Sequence, residues 1–326
     1  MHQGFGALPV MIGESPSMQQ IKASIGQIAA SDCPVLITGE TGTGKELVAW
    51  ALHHLSPRRS RPFVAINCAA LPEGLLESEL FGHERGAFTG AHTSRPGTLE
   101  LAHGGTLFLD EIAEMSSSAQ SKLLRAIEGH EVYRLGGKRP LRLDFRVLAA
   151  THQDLKEGIG RGRFREDLYF RLRTFHIHLP SLRERREDIP LLLAHYVAEC
   201  NHRWGREVVG FTPEAQEALL CYRWPGNVRE LRNLVEASCM GLSSPWISRE
   251  MLPDYFRQQL WADQGLSSAE RDRLLSVLQA YQGNRTQAAR QLGYSRMTLH
   301  RKMRRYAIQI DPWPGSRRKK KGKSQG

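Results

Sequence analysis

The stretch Gly39-Glu40-Thr41-Gly42-Thr43-Gly44-Lys45 constrains this chain more than any other. It fits G-x-x-x-x-G-K, follows the apolar run Val35–Thr38 and precedes a helical pattern from Lys45 to His54. Glycines at these positions let backbone N–H groups turn inward around phosphate oxygens. The helix that follows points the positive end of its dipole at the same place. Lys45 then reaches the outer phosphates. By itself the pattern also describes an ordinary glycine turn between a strand and a helix. A second motif sharpens the reading. Thr106-Leu107-Phe108-Leu109-Asp110-Glu111 is an apolar strand ending in two adjacent carboxylates, at the sheet edge where α/β proteins bind ligands. Asp110 suits a Mg2+ ion, directly or through water, and Glu111 suits polarising a water that attacks a γ-phosphate. The loop predicts an ATP site made of Gly39, Glu40, Thr41, Gly42, Thr43, Gly44, Lys45 and Glu46. Glu46 stands where Ser or Thr would normally touch the metal.

Other apolar runs place these motifs in one sheet. Pro62–Cys68, Gly105–Asp110, Leu143–Thr151 and Phe175–Leu179 read as strands, separated by helical segments such as Ala119–Glu128. Strands alternating with helices predict an α/β fold with a mostly parallel sheet covered on both faces. After Pro180 the strand signals stop. Asp188–Arg203 reads as a helix, and Thr212-Pro213-Glu214 opens another, with Thr at the N-cap and Pro at the first position. Trp224-Pro225-Gly226 breaks the chain. Asn227-x-x-Glu230 reads as a capping box for a third helix reaching about Met240. Ser243–Ser268 contains two prolines and no clear period, so it reads as a linker with at most one short helix. Helical pattern returns at Ala269.

Charge singles out that last segment. From Ala269 onward there are 15 Lys and Arg against 3 Asp and Glu, whereas the residues before it carry 30 against 31. A near-neutral body with a basic end suggests attachment to a polyanion. Within this end, Gly283-Asn284-Arg285-Thr286-Gln287-Ala288-Ala289-Arg290-Gln291-Leu292-Gly293 precedes Tyr294-Ser295-Arg296-Met297-Thr298-Leu299-His300-Arg301-Lys302-Met303. Small Ala289 and Gly293 suit two helices meeting at a tight turn, a helix–turn–helix. Ser295 can cap the second helix. Leu299, Met303 and Tyr306 follow steps of four and three residues that could seat it, while Arg296, Thr298, His300, Arg301 and Arg305 are left as polar residues.

Composition excludes several classes. With 40% hydrophobic and 24% charged residues over 326 positions, the chain has the balance of a soluble globular protein. No apolar run approaches the ~20 residues that cross a bilayer, so no membrane insertion is expected. The stretch MHQGFGALPV lacks a basic region followed by an apolar run, so no secretion signal is expected. The five cysteines, Cys33, Cys68, Cys200, Cys221 and Cys239, contain no C-x-x-C pair and read as reduced, mostly buried thiols of a cytoplasmic protein.

Gly86-Ala87-Phe88-Thr89-Gly90-Ala91, set within Glu79-Leu80-Phe81-Gly82-His83-Glu84-Arg85, cannot make a good core strand or helix. It can make a mobile loop tip that presents an aromatic ring. On these motifs together, about residues 10–308 resemble the AAA+ ATPases, and within them the bacterial enhancer-binding activators of sigma-54 RNA polymerase, of which GAFTGA is the signature. Glu46 is usual in that family. The resemblance implies that Phe88 and Thr89, within Gly86–Ala91, engage sigma-54 as nucleotide state raises or lowers the loop. It implies that Asn67 senses Glu111, and that Thr151 and His152 form a first sensor. Relatives often have Thr-Asn at that sensor. It implies that Arg165 and Arg171 reach the neighbouring subunit's γ-phosphate, and that Arg229 is a second sensor on a helical lid. A guanidinium suits such roles because it is permanently charged and binds two oxygens at once. The expected catalytic set is Lys45, Asn67, Asp110, Glu111, Arg165 and Arg171.

Arginines acting in trans require a site between subunits, and the family forms hexameric rings. The C-terminal segment resembles the family's Fis-type reader, with Arg296, Thr298, His300 and Arg301 expected in the major groove of upstream enhancer DNA. The expected layout is an α/β ATPase subdomain over 10–179, a helical lid over 180–243, a linker over 244–268, a helix–turn–helix domain over 269–308 and a basic tail over 309–326. The resemblance starts near residue 10, leaving no room for an N-terminal receiver, as in the phage-shock and Hrp activators. Control is therefore expected from a trans-acting regulatory protein, a co-activator or expression level. Two rival classes stand beside this reading: a DNA-binding regulator with a relic ATPase site, and an AAA+ remodeller of unrelated substrates. Intact Lys45, Glu111 and GAFTGA oppose the first. GAFTGA and the terminal helix–turn–helix oppose the second.

Overall fold

The computed structural model describes residues 11–240, 244–281, 284–306 and 308. Residue 10, the junction at 241–243, Gly283 and the basic tail at 309–326 lie outside them. The described chain divides into two compact units, one ending at Leu252 and one beginning at Pro253.

The first unit is built on five parallel strands: β1 (Val35–Thr38), β2 (Phe63–Asn67), β3 (Thr106–Asp110), β4 (Arg146–Thr151) and β5 (Phe175–His178). Their order in the sheet is β2-β3-β4-β1-β5. The central strands are apolar on both sides because both faces are covered. One face packs Val35, Ile37, Leu148 and Ile177 against Ile21 and Ile25 of α1 (Pro16–Ala29) and Val48 and Leu52 of α2 (Lys45–His54). The other packs Leu36, Leu107, Leu109 and Ala149 against Leu80 of α3 (Glu73–Phe81), Leu123 of α4 (Ser117–Gly129), Leu155 of α5 (Leu155–Gly160) and Leu168 of α6 (Glu166–Leu172). β4 is shorter than the apolar run starting at Leu143, because Leu143 N–H bonds His130 O beside a two-residue hairpin and not the sheet.

Arg146 opens β4 at the sheet end remote from the glycine loop. It is buried, and its Nη1 and Nη2 donate at 3.0 Å to Ala29 O and Ile28 O respectively, at the C-terminal end of α1. Burial holds its pKa below the ordinary arginine value, with Asp32 acting against the shift. Arg146→Ala should destabilise the first unit by about 2–3 kcal/mol, the worth of hydrogen bonds from a charged group. Chemical denaturation checks this, and a variant as stable as wild type would refute it.

Beyond the sheet, α7 (Ile189–Trp204), α8 (Pro213–Cys221) and α9 (Asn227–Met240) form the helical part of the first unit. Thr212 caps α8, accepting from Ala215 N–H, with Pro213 at the first position. The box expected at α9 is built differently. Glu230 accepts from Gly226 N–H at 2.8 Å, and Asn227, at φ 52°, turns its side chain away. All five cysteines are free thiols; Cys68, Cys200 and Cys239 are buried and Cys221 is exposed.

The second unit contains α10 (Asp254–Ala280), α11 (Arg285–Gln291) and α12 (Arg296–Arg305). Much of the expected 244–268 linker is thus one helix that continues past Ala269. Both prolines of that segment, Pro245 and Pro253, precede Asp254, and Pro253 is the N-cap. Leu274 and Leu278 of α10 pack with Ala288, Ala289, Leu299 and Met303. Gly293, at φ 70°, makes the tight turn between α11 and α12. Among the described residues, no helix is long and apolar enough to cross a membrane.

Candidate nucleotide site and loop

Register brings the strand-end motifs to one edge. β1 pairs with β4 so that Thr38 lies beside Thr151, and β2 pairs with β3 so that Asn67 lies beside Asp110. The glycine loop leaves the end of β1 between them. A cavity of about 410 Å3 opens there, lined by Thr41, Gly42, Gly44, Lys45, Glu46, Asn67, Asp110, Glu111 and Arg229. That volume suits a nucleotide-sized ligand. Gly39 and Thr43 belong to the same loop without lining this cavity; Gly39 and Glu40 line a neighbouring one.

Inside the cavity, Lys45 is 7% exposed and donates to Gly39 O at 3.0 Å. Its Nζ lies 3.6 Å from Glu111 Oε1. The other oxygen of Glu111 is held by His152, with ring Nδ1 at 2.7 Å and backbone N–H at 3.2 Å. Asn67 reaches a different carboxylate from the one expected: its amide donates to Asp110 Oδ2 at 3.2 Å. Burial, then the neighbouring Glu111 charge, pushes the Asp110 carboxyl above its ordinary value, while Lys45 and Arg229 pull it down. Glu111 sits in a left-handed conformation at φ 52°, which aims its side chain back toward Lys45 and His152. Thr151 is fully buried, and its hydroxyl accepts from Gln153 N–H.

The helical part closes over the loop through contacts that no local pattern announces. Asn227 Nδ2 donates to Glu40 Oε2 and Thr41 O, while its Oδ1 accepts from Leu182 N–H. Buried Arg185 donates to Thr43 O at 3.2 Å, and Arg183 pairs with Glu40, holding that carboxyl below its ordinary value. Arg229 N–H donates to Gly42 O. A Cβ on Gly42 would lie 2.2 Å from Gly226 O, so only glycine permits this approach. Tyr196, Val228 and Arg232 also line the cavity, with the Arg232 guanidinium over the Tyr196 ring at 5.8 Å. Sequence reasoning missed Arg183, Arg185, Tyr196 and Arg232, and it assigned Asn227 to capping. The strings Leu182–Arg186 and Gly226–Arg232 are dense in arginine, which was the available signal.

The Gly86–Ala91 segment is a compact turn. Gly86 N–H donates to Ala91 O at 2.8 Å and Ala91 N–H to Phe88 O at 3.0 Å. Gly86 and Gly90 have φ of 83° and 101°, and a Cβ on either would meet nothing, so backbone conformation and not crowding calls for glycine. Phe88 is 42% exposed, its ring edge resting on His83 at 5.0 Å. Thr89 is exposed, Ala87 is half-buried and Ala91 is buried. Arg134 pins the base of the turn, bonding Glu100 at 2.9 and 2.8 Å and Glu84 at 3.1 Å. That pairing lowers the Glu100 carboxyl pKa.

Arg165 and Arg171 lie at the two ends of α6, both exposed and both outside the lining of the cavity. Arg165 pairs with Asp167 at 2.6 Å. In the second unit, Ser295 Oγ accepts from Thr298 N–H at 3.0 Å, capping α12 as its sequence suggests. Arg296, His300 and Arg301 are exposed, and Thr298 is half-buried.

Comparisons with known proteins match three stretches of the chain. Residues 11–178 match the Sigma-54 interaction domain, residues 183–268 the AAA+ ATPase lid domain, and residues 265–306 the Bacterial regulatory protein, Fis family. The Transcriptional regulatory protein ZraR of Salmonella typhimurium is 50% identical over 301 residues, which cover 90% of this chain and 68% of that protein. The DNA-binding transcriptional regulator NtrC of Escherichia coli K12 is 44% identical over 334 residues, covering 92% and 70%. A crystal structure of NtrX from Brucella abortus in complex with ATP superposes with a TM-score of 0.72 at 33% identity, covering 92% of this chain and 70% of that one.

Proposed function

We propose, from the premise that this chain belongs to the sigma-54 activator family of AAA+ ATPases, a division of labour among its residues. The chain is a sigma-54-dependent transcriptional activator, with an ATPase domain and a Fis-type DNA-binding region. ATP lies along Gly39–Lys45, as the ATP-bound relative's fold supports. Lys45 leaves Glu111 for the β- and γ-phosphates, since a dianionic partner attracts its ammonium more strongly than one carboxylate does. Glu111, still oriented by His152, then accepts the proton of the attacking water. Asn67 holds Asp110, and Arg229 faces the phosphates from the lid side. Arg165 and Arg171 act on the site of the next copy in a ring, a hexamer by family resemblance.

The residues fit Mg2+. Asp110 is a half-buried carboxylate whose pKa is raised by burial and then by the Glu111 charge, and a divalent cation would relieve both. Among the described residues, no cluster of three or more His, Cys, Asp or Glu could cage a metal unaided. Mg2+ characteristically takes one or two carboxylates together with substrate phosphates; Asp110 would hold it, directly or through water, and it would neutralise phosphate charge there.

The work of hydrolysis is delivered through Gly86–Ala91, which remodels the closed sigma-54 polymerase promoter complex, while α12 holds upstream DNA. With both partners in the cytoplasm, the protein acts there. The observation that carries this reading is the meeting of Lys45 and Glu111 in one cavity of the domain that also bears the GAFTGA turn. Purified full chain should open a sigma-54 promoter in vitro with ATP and a template carrying its upstream site. Failure under those conditions overturns the reading.

The trans role of the arginines has its own test. Arg165→Ala and Lys45→Ala proteins should each lose about 10³-fold in turnover. Mixing them should restore hydrolysis, because the intact loop of one then meets the intact arginine of the other. Mixtures no more active than their components would place Arg165 outside the neighbouring site.

A further inference from the structure

α12 presents one feature that its expected DNA-contact set does not use. Met297, its second residue, is 80% exposed, while Leu299 and Met303 on the same helix are buried. A single exposed apolar side chain is ordinary on a protein surface. The position of this one is what carries meaning. Residues at the N-terminal end of the second helix of a helix–turn–helix meet base edges in the major groove. Met297 shares its helix face with His300 and Arg301, three and four residues on, and Arg296 adjoins it. Thr298 is not free for the same task. It is half-buried, and its hydroxyl lies 2.8 Å from Ser295 Oγ at the helix cap. Lys302 is also turned aside, its Nζ 5.2 Å from the Tyr294 ring centre. Among the described residues, the outward face therefore has three cationic or polar side chains around one long apolar one.

Arg296 and Arg301 can bind phosphates or guanine edges, and His300 can exchange hydrogen bonds. A thioether chain can do none of these with any strength. The one apolar group that a base pair displays in the major groove is the 5-methyl of thymine. Methionine is unbranched and polarizable, so it adapts to such a contact. We propose that Met297 is a specificity-determining residue that reads a thymine 5-methyl group in each half-site. This rests on the reading that α12 enters the major groove.

The test uses the full chain and a randomised duplex library. Sites are selected with wild-type protein, and each thymidine of the winning duplex is then replaced by deoxyuridine, which removes only the methyl group. Wild type should lose about fourfold in affinity at one thymidine per half-site, the worth of one buried methyl. Met297→Ala should bind the unmodified site about as weakly and be indifferent to deoxyuridine there. Met297→Leu should keep the sensitivity. Unchanged thermal melting of the exposed-site variants separates a lost contact from a lost fold. If wild type is insensitive to every replacement, or if Met297→Ala keeps the wild-type pattern, the inference is overturned while DNA binding stands. If wild type selects no duplex at all, the groove reading and the inference fall together.

Discussion

Glu111→Ala should bind ATP and turn it over about 10²–10⁴-fold more slowly than wild type, the range expected when a positioned general base is removed. The geometry explains why binding and turnover separate. Lys45 is tied to the loop through Gly39 O and shares its charge with Glu111 at 3.6 Å. Deleting the carboxylate leaves the loop intact and frees the ammonium for phosphate, so affinity should hold or tighten. His152 loses the oxygen that both its ring and its backbone N–H hold, which exposes no buried charge because His152 is a surface residue. Lys45→Ala should behave differently and lose nucleotide affinity with turnover. Equilibrium binding of a fluorescent ATP analogue beside single-turnover hydrolysis measures both quantities. Normal hydrolysis by Glu111→Ala would transfer the base role elsewhere.

Thr89→Ala should keep ATP turnover within about twofold of wild type while open-complex formation disappears, a loss of coupling and not of chemistry. Thr89 is exposed at the tip of a turn whose hydrogen bonds are made by backbone groups of Gly86, Phe88 and Ala91. Removing its hydroxyl and methyl disturbs none of them, so the stability cost should stay within about 0.5 kcal/mol. The glycine loop and the Asp110-Glu111 pair lie on other elements and do not depend on this side chain. What the substitution removes is surface offered to sigma-54 beside the half-exposed Phe88 ring. Open-complex formation on a sigma-54 promoter, read in parallel with phosphate release, tests the separation. Equal loss of both would show that the turn serves the ATPase fold and not its output.

Reading the residues in order located the strands, the glycine loop and the carboxylate pair because each is a local signal. An apolar run, a glycine at a required φ and a strand-end acid are legible within about ten residues of chain. The Thr212 and Ser295 caps were legible for the same reason. The first half of α10 was not legible in this way: it has no clear apolar period, and the prolines at 245 and 253 both lie before its first residue, Asp254. Asn227 shows the other limit. Its position before Glu230 fits a cap, yet its side chain binds Glu40 and Thr41, about 186 residues away along the chain.

What the sequence by itself determined, then, is the inventory: an α/β sheet with a phosphate loop, an acid pair, a glycine-bounded aromatic turn and a terminal helix–turn–helix. The tertiary structure alone decided the pairings. Parallel register set Asn67 against Asp110, leaving Glu111 to Lys45 and His152. Lid packing brought Arg185 to Thr43. The seating of α12 on Leu299 and Met303 turned Met297 outward. Each of these depends on which distant backbones approach within hydrogen-bond or contact range. That is settled by burial of the whole sheet and bundle, and no periodicity within a short window encodes it.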